Sequence, residues 1–273
     1  MSGMRKAPGR RVHDQDHQSA RSSRACLLSA VDLSSRTLQR LAGLLAGHRR
    51  RIGSRWRRLT CGRQALLVLA HLRCGDTYAR LAAGFRSGIA TVCRYIREAV
   101  DLLAALAPTL EQAMETVRRK AYVILDGTLL LIDRIAADRP YYSGKKKHHG
   151  LNVQVLADPA GRLIWASDAL PGATHDLTAA RTHDIPAALA ADGIKCWADK
   201  AYQGAGPAIR VPLRGRNLRG WRRRHNRDHA KIRSLGERAM AALKGWRVLR
   251  KLRCSTTRIT AIVRAVVALE LAN

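Results

Sequence analysis

Three acidic side chains stand out in a chain otherwise short of acids: Asp126, where the apolar run YVIL gives way to DGT; Asp199 in CWADKAYQG; and Glu237 in KIRSLGERAMAALKGW. An acid closing each of two core strands, with a third on a later helix, is a set able to hold two divalent cations. Phosphoryl transfer uses such ions about 3.5–4 Å apart, one to activate the nucleophile and one to stabilise the leaving oxygen. Magnesium suits the set because it takes few carboxylates and keeps several waters. On a helix turning about 100° per residue, Arg233 falls about 40° and Lys244 about 20° from Glu237, so the three share one face. Each acid also has a plainer reading. Arg233 and Glu237 are spaced for an i,i+4 ion pair worth about 0.3 kcal/mol, and Asp-Gly and Asp-Lys are ordinary turn openers. The recurrence of acids at two strand ends and on one helix is what favours cation chemistry. Asp176 in PGATHD is expected to cap the helix that follows it rather than bind metal.

The framework that carries these acids is strongly basic. Lys and Arg number 50 against 20 Asp and Glu, a formal charge of +30 over 273 residues, and the isoelectric point is near 11.4. Such an excess selects a polyanionic partner, nucleic acid first. Of the 50 basic residues 40 are arginine; a GC-rich genome accounts for arginine over lysine, but not for the scarcity of acids. No apolar run approaches the roughly 18 residues of a spanning helix, and the first residues lack a secretory apolar core. A cytoplasmic protein is expected, associated with the nucleoid if the host is bacterial. Cys26, Cys61, Cys74, Cys93, Cys196 and Cys254 form no CxxC or CxxH pair, which argues against a zinc site or a disulfide framework. Reduced, buried thiols are expected.

Residues 1–34 are polar and basic, as in a disordered arm. Residues 35–108 read as a helical module. SRTLQRLAGLLAGHRRR has a serine cap, a leucine face and arginines in its last turn, and HRRRIGSRWRR makes a basic connector. GRQALLVLAHLRCG closes on Gly75, DTYARLAAGF opens on a capping Asp76, and GIATVCRYIREAVDLLAAL runs until Pro108. The short link at 84–88 fits a helix-turn-helix whose last helix offers Thr91, Arg94, Tyr95 and Arg97 to a groove. After Lys120 the periodicity changes. AYVILDGTLLLI is a central strand buried on both faces, and LNVQVLAD and RLIWASDAL pair as a hairpin around PAG. HDLTAARTHDIPAALA reads as a helix, IKCWADK and AIRVPL as short strands, and 229–250 as the helix carrying Glu237. The expected fold class is α/β, a mixed sheet with flanking helices preceded by an all-α helix-turn-helix module. Residues 210–233, with nine arginines and Lys231 against Asp228 alone, read as a loop facing solvent or phosphates.

The run R-SLG-E-RAMAAL-K, with three residues between Arg233 and Glu237 and six between Glu237 and Lys244, resembles the R(3)E(6)K signature of DDE transposases from bacterial insertion sequences. LDGT, YYSGKKKHHGLNVQVLAD, PGATHD, WADKAYQG and GERAMAALKGWRVL resemble, in that order over residues 122–250, the Harbinger-like endonuclease branch. Residues 60–105 resemble the helix-turn-helix that precedes that domain. The resemblance implies a ribonuclease H-like endonuclease over residues 120–273, with Asp126, Asp199 and Glu237 as catalytic and metal-binding triad. It implies a two-metal site for Mg2+, or Mn2+ in its place, hydrolysis of a phosphodiester at an element's end, and attack of the freed 3′-hydroxyl on target DNA. The partner it implies is double-stranded DNA, both terminal inverted repeats and target, with a homo-oligomer assembled on it and no membrane. Lys244 would contact terminal phosphates, and Arg233 would orient Glu237 or contact DNA. Thr91, Arg94 and Arg97 of the helical module and Lys145, Lys146 and Lys147 of the GKKKHH run are the further DNA-binding candidates. Ala201 stands where the family usually has glycine. A catalytically inactive, domesticated DNA-binding protein is the alternative, and an RNA-binding protein explained by charge alone is a third.

Overall fold

The computed structural model describes residues 34–54, 57–133 and 139–272. The arm expected over 1–34, apart from Ser34, lies outside them, as do Cys26 and two residues of the basic connector.

Five helices open the described chain. In α1, Ser35–Arg51, the cap is Ser34, whose hydroxyl accepts the Thr37 N–H at 3.2 Å, and Leu38, Leu41 and Leu45 form the buried stripe. Helix α2, Cys61–Leu69, runs on through a π turn, Ala70–Cys74, to the predicted stop at Gly75. Helix α3, Tyr78–Gly84, is capped by Thr77, which accepts the Arg80 N–H at 3.3 Å, and not by Asp76 as expected. Asp76 is one residue too early to reach that donor and instead pairs with the Arg80 guanidinium at 3.3 Å. After a turn comes α4, Ile89–Ala104, and then α5, Leu110–Val117. The sequence reading left residues 109–119 unassigned, although Thr109 and Gln112 form the reciprocal capping box that marks a helix start.

The sheet is mixed. Strands β1 (Val123–Leu131), β2 (Tyr142–Ser143), β3 (His148–Ala157), β6 (Cys196–Trp197) and β7 (Ile209–Arg210) take the order β2-β3-β1-β6-β7, and β4 (Leu163–Ala166) and β5 (Leu170–Pro171) also pair with β3. β1 is antiparallel to β3 and parallel to β6, and β6 is parallel to β7. The predicted hairpin is present as β3 and β4, its turn held by Asp158, whose side chain accepts the N–H groups of Ala160 and Arg162 at 2.9 Å. The two-residue strands β2 and β5 were not foreseen, being too short to carry a period.

As the apolar run predicts, β1 is buried on both faces. Its odd residues Val123 and Leu125 pack with α5 and with α6 (Asp176–Thr182) and α7 (Ile185–Ala191). Its even residues Ile124 and Leu130 face α8 (Gly220–Gly245) and α9 (Thr256–Glu270). The single helix expected over HDLTAARTHDIPAALA is thus two, broken where Asp184 takes a left-handed φ of 55° and Pro186 enters the first turn of α7. Helix α9 follows a 3-10 turn after α8 and lay beyond the last element read from sequence. It packs Ile259, Ile262, Val263 and Val266 into the same apolar cluster as Val92, Ile96, Ala99 and Leu103 of α4, so one continuous core joins the opening helices to the sheet.

The larger correction concerns residues 210–233. Only its first part is strand and loop; from Gly220 the chain is already helix α8, 26 residues long. Its arginines other than half-buried Arg233 line exposed faces, while buried His229 bonds through Nε2 to the Arg210 carbonyl at 3.2 Å and Asn226 bonds both the N–H and the carbonyl of Leu213 at 2.8 and 3.0 Å. Those few inward contacts were too sparse to give a visible apolar period. Of the five described cysteines only Cys196 is buried; Cys61, Cys74, Cys93 and Cys254 are half-buried, contrary to expectation. Among the described residues no helix is long and apolar enough to cross a membrane.

Candidate functional site

The parallel pairing of β1 and β6 ends at Ile124 and Trp197. Two residues further along each chain stand Asp126 and Asp199. Side chains alternate across a strand with period two, so Asp126 lies on the Ile124 side of β1, and Asp199, just past the end of β6, lies close enough for its charge to act on the Asp126 carboxyl. Asp126 is therefore not at the end of its strand, as the sequence suggested, but the fourth of nine residues in β1; it is the neighbour that ends. The Val123 N–H donates to Lys195 of the β6 edge at 3.0 Å, so by alternation the Gly127 N–H faces the same edge beyond the end of β6. Asp126 Oδ1 takes that otherwise unpaired donor at 2.9 Å. Asp199 Oδ1 accepts the Ala201 N–H at 2.8 Å and caps a 3-10 turn, Lys200–Tyr202. Ala201 sits there without a positive φ, so the turn makes no demand that alanine cannot meet.

Burial raises the Asp126 pKa above the ordinary carboxylate value; the Arg233 guanidinium works against this, and the charges of Asp199 and Asp176 add to it. A half-desolvated carboxylate with two like charges nearby is a position that favours a cation. Lys145 supplies one. Its ammonium lies 3.2 Å from Asp176 Oδ2 and 3.9 Å from Asp199 Oδ2. Burial acts to lower the Lys145 pKa, but Asp176, then Asp199 and Asp126, outweigh it and leave it raised. Lys146 and Lys147, in the turn before β3, are exposed.

Asp176 does not cap α6. The cap is His175, whose Nδ1 accepts the Leu177 N–H at 3.3 Å, and Asp176 follows as the first helical residue with its carboxylate turned to Asn152 at 2.8 Å and to Lys145. Gly127 makes room for it: a Cβ there would lie 2.5 Å from Asp176 Oδ1. Tyr202, buried beside the group, has its phenol pKa pushed well up by burial and then by Asp176, Asp126 and Asp199. Sequence reasoning missed Tyr202, Asn152 and Gln154; a polar residue on alternate positions of an otherwise apolar β3 was the available signal.

Helix α8 approaches the sheet through Gly236, where a Cβ would lie 2.9 Å from Ile124 Cγ2. The buried side of the helix is lined by His229, Gly236, Ala239 and Leu243, and Arg233, Glu237 and Lys244 lie together on its flank. Arg233 is half-buried and acts on Asp126; Glu237 and Lys244 are exposed. Among the described residues no ion pair joins Arg233 to Glu237, so the plain i,i+4 reading is not realised. Asp126, Asp176 and Asp199 are brought into one neighbourhood and Glu237 stands on the helix beside it. Among the described residues no three His, Cys, Asp or Glu side chains are close enough together to hold a metal ion.

In the helical region, α3, the turn and α4 form the expected helix-turn-helix. The start of α4 is open to solvent, with Ile89, Ala90 and Arg94 exposed, Thr91 half-buried and accepting from Arg94 at 3.3 Å, and Arg97 exposed further along. Tyr95, expected to face a groove, is buried at 3% exposure and accepts the Leu59 N–H through its hydroxyl at 3.3 Å. Its position on α4 points inward with Val92 and Ile96, the apolar side of the helix.

The chain thus joins a helix-turn-helix to a mixed α/β sheet within a strongly basic sequence. The family described as DDE superfamily endonuclease matches residues 125–270, and the helix-turn-helix of DDE superfamily endonuclease matches residues 57–109. A protein of Streptomyces albus G named "Putative transposase for insertion sequence element IS112" is 31% identical over 194 residues, 70% of this chain and 71% of its own length. No solved structure matches the chain. The chain belongs to the DDE superfamily of insertion-sequence transposases and endonucleases.

Proposed function

We propose that the chain is a DNA transposase that hydrolyses phosphodiesters at the ends of its element in a divalent-metal-dependent reaction and joins the freed 3′-hydroxyl to target DNA. The observation that carries this reading is the shared two-residue step of Asp126 and Asp199 beyond the Ile124–Trp197 pair. It brings two hard oxygen donors together in a basic protein, with Asp126 shifted in the direction that a cation would reverse. These donors fit Mg2+ or Mn2+ in kind. Asp126 and Asp199 would hold the ions, and Glu237 would complete the set from α8. When bound, such ions lower the pKa of the attacking water and stabilise the leaving oxygen. Arg233 offsets charge beside Asp126, Lys145 offers an ammonium to a phosphate arriving at Asp199, and Lys244, Lys146 and Lys147 contact the DNA backbone. Residues 35–108 bind the terminal repeat, using Thr91, Arg94 and Arg97, and residues 120–273 carry the chemistry.

A supercoiled plasmid carrying the cognate ends tests this. Incubated with the full chain and Mg2+ or Mn2+, it should be nicked at the ends, and Asp126→Ala should abolish nicking. Equal cleavage by Asp126→Ala, or none by the folded wild type, would overturn the reading.

A further inference from the structure

A closed ring of polar contacts runs through the sheet beneath the carboxylates. The Tyr202 hydroxyl donates to Gln154 Oε1 at 2.6 Å, Gln154 Nε2 donates to Asn152 Oδ1 at 2.8 Å, and Asn152 Nδ2 donates to Asp176 Oδ1 at 2.8 Å and to the Thr174 carbonyl at 3.0 Å. The second oxygen of Asp176 meets Lys145 at 3.2 Å, and Lys145 lies 3.9 Å from Asp199. Asp199 closes the ring, because it caps the turn that carries Tyr202.

Three features set this ring apart from incidental core polarity. Its amide and phenol members are deeply buried, with Gln154 at 0%, Tyr202 at 1% and Asn152 at 6% exposure, where an unpaired polar group costs most, while Asp176 and Asp199 are half-buried and Lys145 is exposed. Its direction is set from one end: the Asp176 carboxylate and the Thr174 carbonyl accept, so Asn152 presents Nδ2 to them and Oδ1 to Gln154 Nε2, which leaves Gln154 Oε1 to take the phenol proton. It also spans three elements, β3, the start of α6 and the turn after β6.

We propose that Asp176 is a positioning residue of the site, and that the Asn152, Gln154 and Tyr202 chain fixes its distance from Asp199 so that Lys145 is held over the Asp199 carboxylate. The proposal rests on the reading of Asp126 and Asp199 as cation-binding carboxylates. Asp176 acts through Lys145 on one side and through the amide chain on the other. Breaking either arm frees the Asp199 turn to shift, and breaking the second arm then adds little.

The test is a double-mutant cycle on the full chain with Tyr202→Phe and Asp176→Asn, two residues that share no hydrogen bond. Mn2+ affinity is read by electron paramagnetic resonance without DNA, and the Mn2+ dependence of nicking is split into half-saturation and maximal rate. Each single variant should raise the half-saturating Mn2+ concentration several-fold, and the double should fall short of the product of the two by about threefold or more, the non-additivity of a coupled network. Denaturant midpoints identify any variant that has lost its fold; Gln154→Met then replaces Tyr202→Phe and breaks the same arm. Fully multiplicative effects, or unchanged Mn2+ affinity, overturn the ring while leaving the site reading intact. Failure of the folded wild type to bind Mn2+ sinks both.

Discussion

Gly236 of α8 lies against Ile124 of β1, where a Cβ would come 2.9 Å from Ile124 Cγ2, and this approach brings Arg233, three residues earlier on the same helix, near enough to Asp126 for its charge to oppose the rise of that carboxyl's pKa. Helix α8 can lie this near β1 only while position 236 has no Cβ. Gly236→Ala should destabilise the fold by about 1–3 kcal/mol, the usual cost of overpacking, and should lower cleavage by moving Arg233 and Glu237 outward. Adding Ile124→Ala should recover part of the approach. Denaturant unfolding and plasmid nicking check both, and a Gly236→Ala protein as stable and active as the wild type would count against the contact.

The pH dependence of stability follows from Asp126. Its folded pKa is raised, so between the unfolded value and that raised value the native state keeps a proton that the unfolded chain has released. Stability contributed by this group is greatest below the unfolded pKa and falls as pH rises through the folded pKa. Asp126→Asn should therefore unfold at higher denaturant than the wild type at neutral pH and lose nicking. The stability difference should vanish towards acid pH; an Asn variant less stable at neutral pH would contradict the shift.

Asp199 has two jobs that substitution can separate. Its side chain accepts the Ala201 N–H, a role asparagine can fill, whereas its charge has no amide substitute. Asp199→Asn should keep a wild-type melting curve within about 0.5 kcal/mol while nicking falls at least about 10²-fold, the scale of removing one group that stabilises developing charge. Asp199→Ala should lose both.

On α4, Arg94 and Tyr95 are adjacent in sequence and opposite in role. Arg94→Ala should weaken binding to end-containing DNA and reduce the slope of log K against log salt by about 1, the signature of one phosphate contact. Tyr95→Phe should leave that slope unchanged and cost about 1–3 kcal/mol of stability, because the Leu59 N–H loses its acceptor. Salt titrations of a labelled duplex and thermal melts distinguish the two.

Much of this was legible because the apolar periods are strong: the doubly buried β1, the β3–β4 hairpin and the helix-turn-helix all follow from pattern and turn chemistry. What the sequence misplaced has physical causes. Asp126 looked like a strand end because an acid interrupts the apolar run, yet β1 continues and β6, two residues long, is what stops. The first half of α8 looked like loop because its inward positions are few and its arginines many. Tyr95 looked like a reader because it is aromatic among basic residues, but its spacing from Val92 and Ile96 puts it on the apolar side. The role of Asp176 was hidden by its neighbour: His175, a rarer cap, takes the position that a sequence rule gives to aspartate.

The shared core of α4 and α9 bears on how such a protein can diversify. Ile259, Val263 and Val266 complete the interior of the helices that precede the sheet, although they follow every acidic residue of the proposed site in the sequence. A gene that exchanged only its opening segment for a foreign one would leave these side chains facing the wrong surface. Point changes on the exposed side of α4 leave this shared interior intact, whereas exchange of the whole helical region does so only if α9 travels with it.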